Sequence, residues 1–396
     1  MRKKSIFSTI GTVSALAALL LLAACSGGGT TSASSSTATP TSSTTQTPAT
    51  AETPVANSTL TATLPSSVKG PLTAIRMLTT QQGWAMTANA ILKTTDGGRH
   101  WTNVTPPNAP GYQVARGTFI DNLYAWVVSA QETQNKVIIQ HTTDGGQTWS
   151  SLTLDVQDPA GVDMLHFSGN EGWFEAITSP GAGSQGAYIF RTTDAGQTWK
   201  LISQAGRNGL PLGGFKSGLS FKDASTVYAT IRSTTGQLTD PGLYVSRDGG
   251  FTWQEQQLTP PAGLTVQQIG TTPPIFFGNT GLLPVYITTP DGHAHLVLYH
   301  SNDGGSSWFP TLPIETSADS TYVADTSHAW ASDWQSGKLF YTTDGGKSWQ
   351  TALVRPGKLK EMSFADANNG WAVTESQLLH TWDGGKTWGN ISYTNQ

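Results

Sequence analysis

Four carboxylic acids fall close together in segments with strand-like alternation: Asp163, Glu171, Glu175 and Asp223. Two carboxyls held about 5 Å apart would suit a retaining glycoside hydrolase, with one as nucleophile and the other as acid/base. A second group could bind a metal. His293 and His295 project to one face of a strand, with Asp291 nearby and His300 five residues on, a combination available to zinc. The simpler reading, polar residues at a hairpin, is preferred, and neither a metal nor another cofactor is expected. A third set is scattered: Arg76, Arg116, His166, Arg207, Lys216, Arg232, His293 and His295 are the polar groups best suited to hold a partner without chemistry. Seven further carboxylates stand apart from these, because all occupy one place in a repeated motif.

The motif reads [Ser/Thr]-x-Asp-[Gly/Ala]-Gly-x-[Ser/Thr/His]-Trp. Its aspartates are Asp96, Asp144, Asp194, Asp248, Asp303, Asp344 and Asp383, separated by 48, 50, 54, 55, 41 and 39 residues. A recurrence of roughly 40–50 residues indicates a repeat architecture and fits the four-stranded blade of a β-propeller. Asp-Gly and Gly-Gly are hairpin dipeptides, since glycine enters positive φ without steric cost. The carboxylate can accept N–H groups of its own turn, and the tryptophan supplies one large apolar plug per repeat. The seven aspartates are therefore expected to be turn staples. Seven copies of one catalytic acid would make little chemical sense.

Upstream of each motif lies an apolar strand, a short turn and a second strand that usually carries tryptophan. Trp84, Trp126, Trp173, Trp330 and Trp371 share one register; the fourth repeat offers Tyr228 and the fifth an aliphatic-Tyr run. Each repeat thus supplies strands A, B, C and D, with the Asp motif as the C–D turn. The expected fold is all-β: one seven-bladed propeller over residues 68–394, with the A strands lining a central channel. Whether residues 58–64 (STLTATL) add an outer strand to blade seven is left open.

Residues 1–24 read as a secretory leader, with Arg2, Lys3 and Lys4 before an apolar run too short to span a bilayer. Leu22-Ala23-Ala24-Cys25 resembles the lipobox of bacterial lipoproteins, which makes Cys25, the single cysteine, the lipidated residue. Residues 25–67 are rich in Ser, Thr, Pro and Ala and read as a linker. Those features imply an extracytoplasmic domain anchored to a membrane by lipid. Net charge is −4, falling by three to −7 when the leader leaves, and charged residues are only 12% of the chain. No basic face accompanies that balance, so nucleic acid is not an expected partner. A monomer is expected.

The repeated motif matches the Asp-box, or bacterial neuraminidase repeat. The pairing of GW-type strands with TTDGG-x-[Ser/Thr]-Trp turns resembles photosystem II stability/assembly factor-like proteins and their relatives among bacterial lipoproteins. That resemblance implies a single-ring propeller used as a binding platform. Sialidases also carry Asp-boxes, but they hold substrate with three arginines and use an aspartate as acid/base. Arg76 stands where their first arginine would, yet the Ile-Pro that follows it is missing, and no aspartate lies between Arg76 and Asp96.

Loop lengths indicate where a partner would dock. The A–B and C–D turns open on one face and are uniformly short. The B–C and D–A loops open on the other and carry the extra length, as in SPGAGSQGAY, STTGQLTDPG and SQAGRNGLPLGG. Variable loops on a rigid scaffold are the usual seat of recognition. The expected function is a non-catalytic platform that recognises a protein or a glycan through the loop-rich face of blades two to five; the alternative is a glycoside hydrolase.

Overall fold

The computed structural model describes residues 60–65, 68–232, 242–333, 335–353 and 356–395. The leader, Cys25, most of the linker, the blade-four loop at 233–241 and Arg355 lie outside the described residues. Seven antiparallel sheets follow one another along the chain, at 74–103, 115–155, 159–204, 215–255, 268–315, 318–351 and 361–395. These are the seven blades. Among the described residues the only helical element is the short 3-10 turn Glu132–Gln134.

Burial along each blade follows its radial position. The B strands are buried on both faces, as in Gly83–Met86 and Gly370–Val373, because a neighbouring blade packs on either side. The D strands form the rim and are largely exposed, as in Thr102–Asn103 and Gln254–Glu255. Blade five departs most from the pattern. Its A strand is split into Gln268–Thr271 and Ile275–Phe277 by Pro273 and Pro274, which cannot donate to the ladder.

Aromatic side chains carry each blade onto the next. Trp84 stacks on Phe119 of blade two at 5.3 Å, Trp126 on Phe167 of blade three at 4.1 Å, and Trp330 on Phe364 of blade seven at 3.6 Å. The same side chains reach sideways with their polar atoms. Trp173 Nε1 donates to the Gly249 carbonyl in the next Asp-box, Tyr228 Oη to Gly304, Trp330 Nε1 to Gly384, and Trp371 Nε1 to Gly97. The last of these closes the ring. In blade five Leu282 replaces the tryptophan, and His300 on the adjacent strand donates instead to the Gly345 carbonyl. His300 is thereby removed from the metal cluster considered above.

In two boxes this approach leaves the second glycine no room for a side chain. A Cβ at Gly305 would sit 2.0 Å from Tyr228 Oη, and one at Gly385 would sit 2.7 Å from Trp330 Nε1. Any larger residue would push the neighbouring ring out of its seat.

The open question about the amino-terminal strand has an answer in the structure. Residues Leu60–Leu64 pair parallel with Gly389–Asn395, outside the D strand of blade seven, from Leu60 opposite Ile391 to Leu64 opposite Asn395. The sheet thus runs five strands deep. Leu64 is buried with Leu72, Trp101 and Ile391 at the seam of blades seven and one. The strand Leu60–Leu64, inside the stretch read as linker, thus pairs with the ring.

Candidate functional site

Each Asp-box aspartate is held in the same way. Its Oδ1 accepts the N–H four residues on, at 2.9 Å in His100, Thr148, Thr198, Thr252, Ser348 and Thr387 and 3.0 Å in Ser307. In six boxes its Oδ2 accepts the hydroxyl of that same residue; in the first, His100 Nδ1 takes the place at 2.5 Å. The hydroxyl two residues before the aspartate donates to Oδ1 and accepts a glycine N–H, as Thr342 does between Asp344 and Gly346. A main-chain bond then ties every box to the A–B turn of its own blade, for example Gly345 N–H to the Ser327 carbonyl and Gly97 N–H to the Gln81 carbonyl.

These bonds require an ionised carboxylate. Burial resists ionisation of Asp344, but the Ser348 hydroxyl and N–H and the Thr342 hydroxyl outweigh it and hold the pKa at about 2. A folded pKa depressed below the unfolded value of about 3.9 contributes stability above that value, which is lost as pH falls through about 2. Asp344→Asn should accordingly melt lower than the parent at pH 6, with the gap closing as pH falls from 4 to 2. Calorimetry across that range checks it; a gap that stays constant would show that the charge is not what holds the turn.

Three of the four clustered acids are described, and they serve different parts of the scaffold. Glu171 accepts from Arg191 Nη2 at 2.6 Å, and that guanidinium lies over Trp173, 5.1 Å from the ring centroid. Glu175 lies four residues farther along the same strand, roughly 13 Å away at the usual strand rise. It is buried and acts electrostatically on Lys216. Asp223 staples the A–B turn of blade four by accepting the Ser225 and Thr226 N–H groups and the Ser225 hydroxyl. Burial opposes its ionisation, yet the Ser225 hydroxyl, the Lys222 ammonium and those N–H groups depress its pKa strongly. The Asp163 side chain lies outside the described residues. Asp121, Asp325 and Asp366 staple the A–B turns of blades two, six and seven in the same way, a second recurrence that sequence reading missed. Its signal was present as Asp-Asn-Leu, Asp-Thr-Ser and Asp-Ala-Asn just before the B strands.

The basic candidates separate into different environments. His166 is no surface group: it stacks on Phe221 at 4.6 Å and 12°, and burial lowers its pKa to about 4, so it is neutral. Lys216 is likewise buried, donating to the Leu212 and Gly213 carbonyls at 3.3 and 3.2 Å. Its burial brings the pKa down to about 8, with Glu175 opposing. Arg207 is exposed on the turn after blade three. Arg76 and Arg116 lie in the channel, where Arg76 Nη1 donates to Tyr322 Oη of blade six at 3.3 Å. Both act electrostatically on Glu361, absent from the sequence-based candidates, whose burial raises its pKa to about 8 against the pull of Arg116, the Ile75 N–H and Arg76. The cavity lined by Arg76, Tyr322 and Glu361 is about 40 Å³, room for a water and not for a substrate.

Arg232 and His295 do come together. Both line a cavity of about 470 Å³ where blades four, five and six meet at the B–C/D–A face, beside Phe215, Gln268 and Tyr286. His295 also borders a neighbouring hollow of about 520 Å³ at the blade-five hairpin, with His293 and Asp291. His293 Nδ1 is engaged by Glu315 Oε1 at 2.7 Å, and that carboxylate raises the pKa of the imidazole. His295 Nδ1 is buried without a hydrogen-bond partner. No carboxylate lines the 470 Å³ cavity among the described residues, whereas Asp291 and Glu315 line the neighbouring hollow.

Comparison with known proteins places this architecture. The family model described as "Photosynthesis system II assembly factor YCF48" matches residues 61–239, and the BNR/Asp-box repeat model matches residues 340–351. Over 121 residues, 30% of this chain, the sequence is 26% identical to the photosystem II assembly lipoprotein Ycf48 of Synechococcus sp. (strain CC9902), covering 32% of that protein. Over 179 residues, 43% of this chain, it is 26% identical to the chloroplastic photosystem II stability/assembly factor HCF136 of Oryza sativa subsp. japonica, covering 39% of it. The chain therefore spans well under half the length of these curated relatives. Among solved structures, YCF48 bound to D1 peptide superposes with a TM-score of 0.52 at 19% identity, over 80% of this chain and 92% of that one. The GH74 xyloglucanase from Xanthomonas campestris superposes at 0.57 and 15% identity, over 82% of this chain and 55% of the enzyme. At such identities the superpositions speak for the fold. The chain is an Asp-box (BNR) repeat propeller that resembles the photosystem II assembly factors.

Proposed function

We propose that this propeller is a non-catalytic, extracytoplasmic platform that holds a segment of a partner protein at its loop-rich face, around the mouth between blades four, five and six. One observation carries the reading. The cavity there presents Arg232 and the unpartnered His295 Nδ1 with no carboxylate on its described lining, while Glu171 and Asp223 are bound into the scaffold and Glu175 lies buried near Lys216. Such a site offers donors, an imidazole and the exposed Phe215 ring, which suits recognition of peptide carbonyls and side chains. The likeness to proteins named as photosystem II assembly factors, one of them solved with a D1 peptide, supports a protein partner over a glycan. The leader and Cys25 support an outward-facing, lipid-held position.

Crosslinking in intact cells tests both parts. The parent should capture a discrete protein, and Arg232→Ala with His295→Ala should reduce that capture roughly tenfold, the loss expected for about 1.4 kcal/mol, at unchanged melting temperature. In the same cells Cys25→Ser should leave the protein unanchored or unprocessed. Capture indifferent to the double substitution would move the partner elsewhere. Turnover of a chromogenic glycoside that disappears in Glu175→Gln of normal stability would replace the platform with an enzyme.

A further inference from the structure

The seven repeats act as internal controls for one another, and one position breaks the pattern. The C-strand residue opposite the B-strand aromatic is Lys93, His141, Arg191, Val245, His300, Tyr341 or His380 in blades one to seven. Five of the six polar ones are engaged. Lys93 donates to the Asn122 carbonyl at 2.6 Å, His141 Nδ1 meets Ser150 Oγ at 2.7 Å, and Arg191 binds Glu171. His300 reaches Gly345, and Tyr341 Oη donates to Gln350 at 2.6 Å. His380 alone leaves a ring nitrogen, Nε2, buried with no hydrogen-bond partner, although the residue is only 7% exposed. A buried polar atom without a partner costs stability and calls for an explanation.

The same blade breaks the pattern a second time, two residues on. The position before the box aspartate is Thr95, Thr143, Thr193, Arg247, Asn302 or Thr343 elsewhere, but Trp382 here. Its ring is 57% exposed and stands edge-on to His380, with centroids 4.2 Å apart at 88°. Between these two rings and blade one opens a cavity of about 270 Å³, bounded also by Trp371, Arg99, Asn369 and Asp96. It lies on the Asp-box face, opposite the mouth discussed above.

We propose that this cavity at the seam of blades seven and one is a saccharide site, taking one neutral pyranose ring against Trp382 with a hydroxyl directed to His380 Nε2. The ring face of an exposed indole attracts the polarised C–H groups of a sugar, while its edge stays fixed by packing. The walls combine apolar surface from Trp371 and Ile391 with donors and acceptors from Arg99, Asn369 and Gln81, as an amphipathic ring requires. An anion is disfavoured. Burial, with Arg99 adding to it, lowers the His380 pKa to about 4 so the imidazole is neutral, while the Asp96 carboxylate shares the lining with Arg99 and Asp366 acts on His380. A cavity of this size admits one ring, and no strand edge is available there to pair with a peptide backbone.

Saturation-transfer NMR and calorimetric titration of the whole chain with methyl glycosides of glucose, galactose, mannose and N-acetylglucosamine test the assignment. At least one should bind with Kd on the order of 1 mM, the range for a single small ring. Trp382→Thr and His380→Val install residues that sister blades already carry at these positions, so folding should persist, as melting will report. Each should weaken binding roughly tenfold or more. Neither should affect protein capture at the opposite face, so this site and the proposed function stand or fall separately. Failure of every glycoside to bind, or binding that survives Trp382→Thr, would overturn the assignment. Binding of N-acetyl-phenylalanine amide in place of the sugars would also overturn it, giving the cavity to a peptide side chain.

Discussion

Trp371→Ala should reduce the free energy of unfolding by about 3–5 kcal/mol, among the largest effects of any single substitution in the ring. The side chain is 1% exposed and belongs to the cluster that joins blade seven to blade one. Truncation would open a void between sheets that meet only through such contacts, because blades at a seam share no strand ladder. It would also strip the Gly97 carbonyl of the indole N–H that now reaches it at 2.9 Å. Trp371→Phe separates the two terms. It keeps most of the buried area and orphans the carbonyl, and should cost about 1–3 kcal/mol. Urea unfolding of both variants measures the difference. A Trp371→Ala loss below about 1 kcal/mol would mean that ring closure rests elsewhere, on the amino-terminal strand or the Asp-box turns.

Such seam contacts mark the boundary of what the sequence reveals. The Asp-box and the GW register are local: each is a turn or strand signal within a few residues, repeated until chance is excluded. Seven blades built on strands A to D, and the direction of the short and long loops, follow from that repetition; the structure has them, with a fifth strand added to blade seven and extra strand segments in blade five. Roles that depend on the neighbouring blade are not local. Within one blade, Glu171 looked free until the adjacent strand brought Arg191 to it, and Asp223 was a local turn staple whose signal was overlooked. His166 looked polar until Phe221 of the next blade stacked on it. Lys216 looked exposed because alternation alone does not show that the loop at 210–214 folds over it. Glu361 was overlooked for the complementary reason. Nothing in Glu-Met-Ser-Phe sets it apart until Arg76 and Arg116 arrive from two other blades. Trp382 was visible as a departure from its six sister boxes, but its meaning needed the buried, unpartnered His380 beside it.

A chain beginning at residue 66 should be markedly less stable than one beginning at residue 58, and prone to associate with itself. The difference between them is the strand Leu60–Leu64, which composition assigns to the linker and pairing assigns to the ring. Two costs combine. Leu64, 1% exposed among Val68, Leu72, Trp101 and Ile391, would be lost from the seam, and truncating a leucine so placed costs about 2–5 kcal/mol on its own. The outer edge of Gly389–Asn395 would then present unpaired N–H and C=O groups to solvent, where another copy can pair with them. Leu64→Ala in the longer chain isolates the first cost, since the ladder remains while the plug is gone. Urea midpoints should therefore fall in the order longer chain, Leu64→Ala, shorter chain, and only the shorter chain should scatter light at raised concentration. A radial sheet can end at its D strand, as the other six do, so the added strand is not demanded by the fold itself. Its distinctive position, parallel and outermost at the seam where the first and last described strands meet, makes it the clasp of the ring. Equal midpoints and equal dispersity for the two chains would show instead that the strand is an ornament and that Trp371 closes the seam alone.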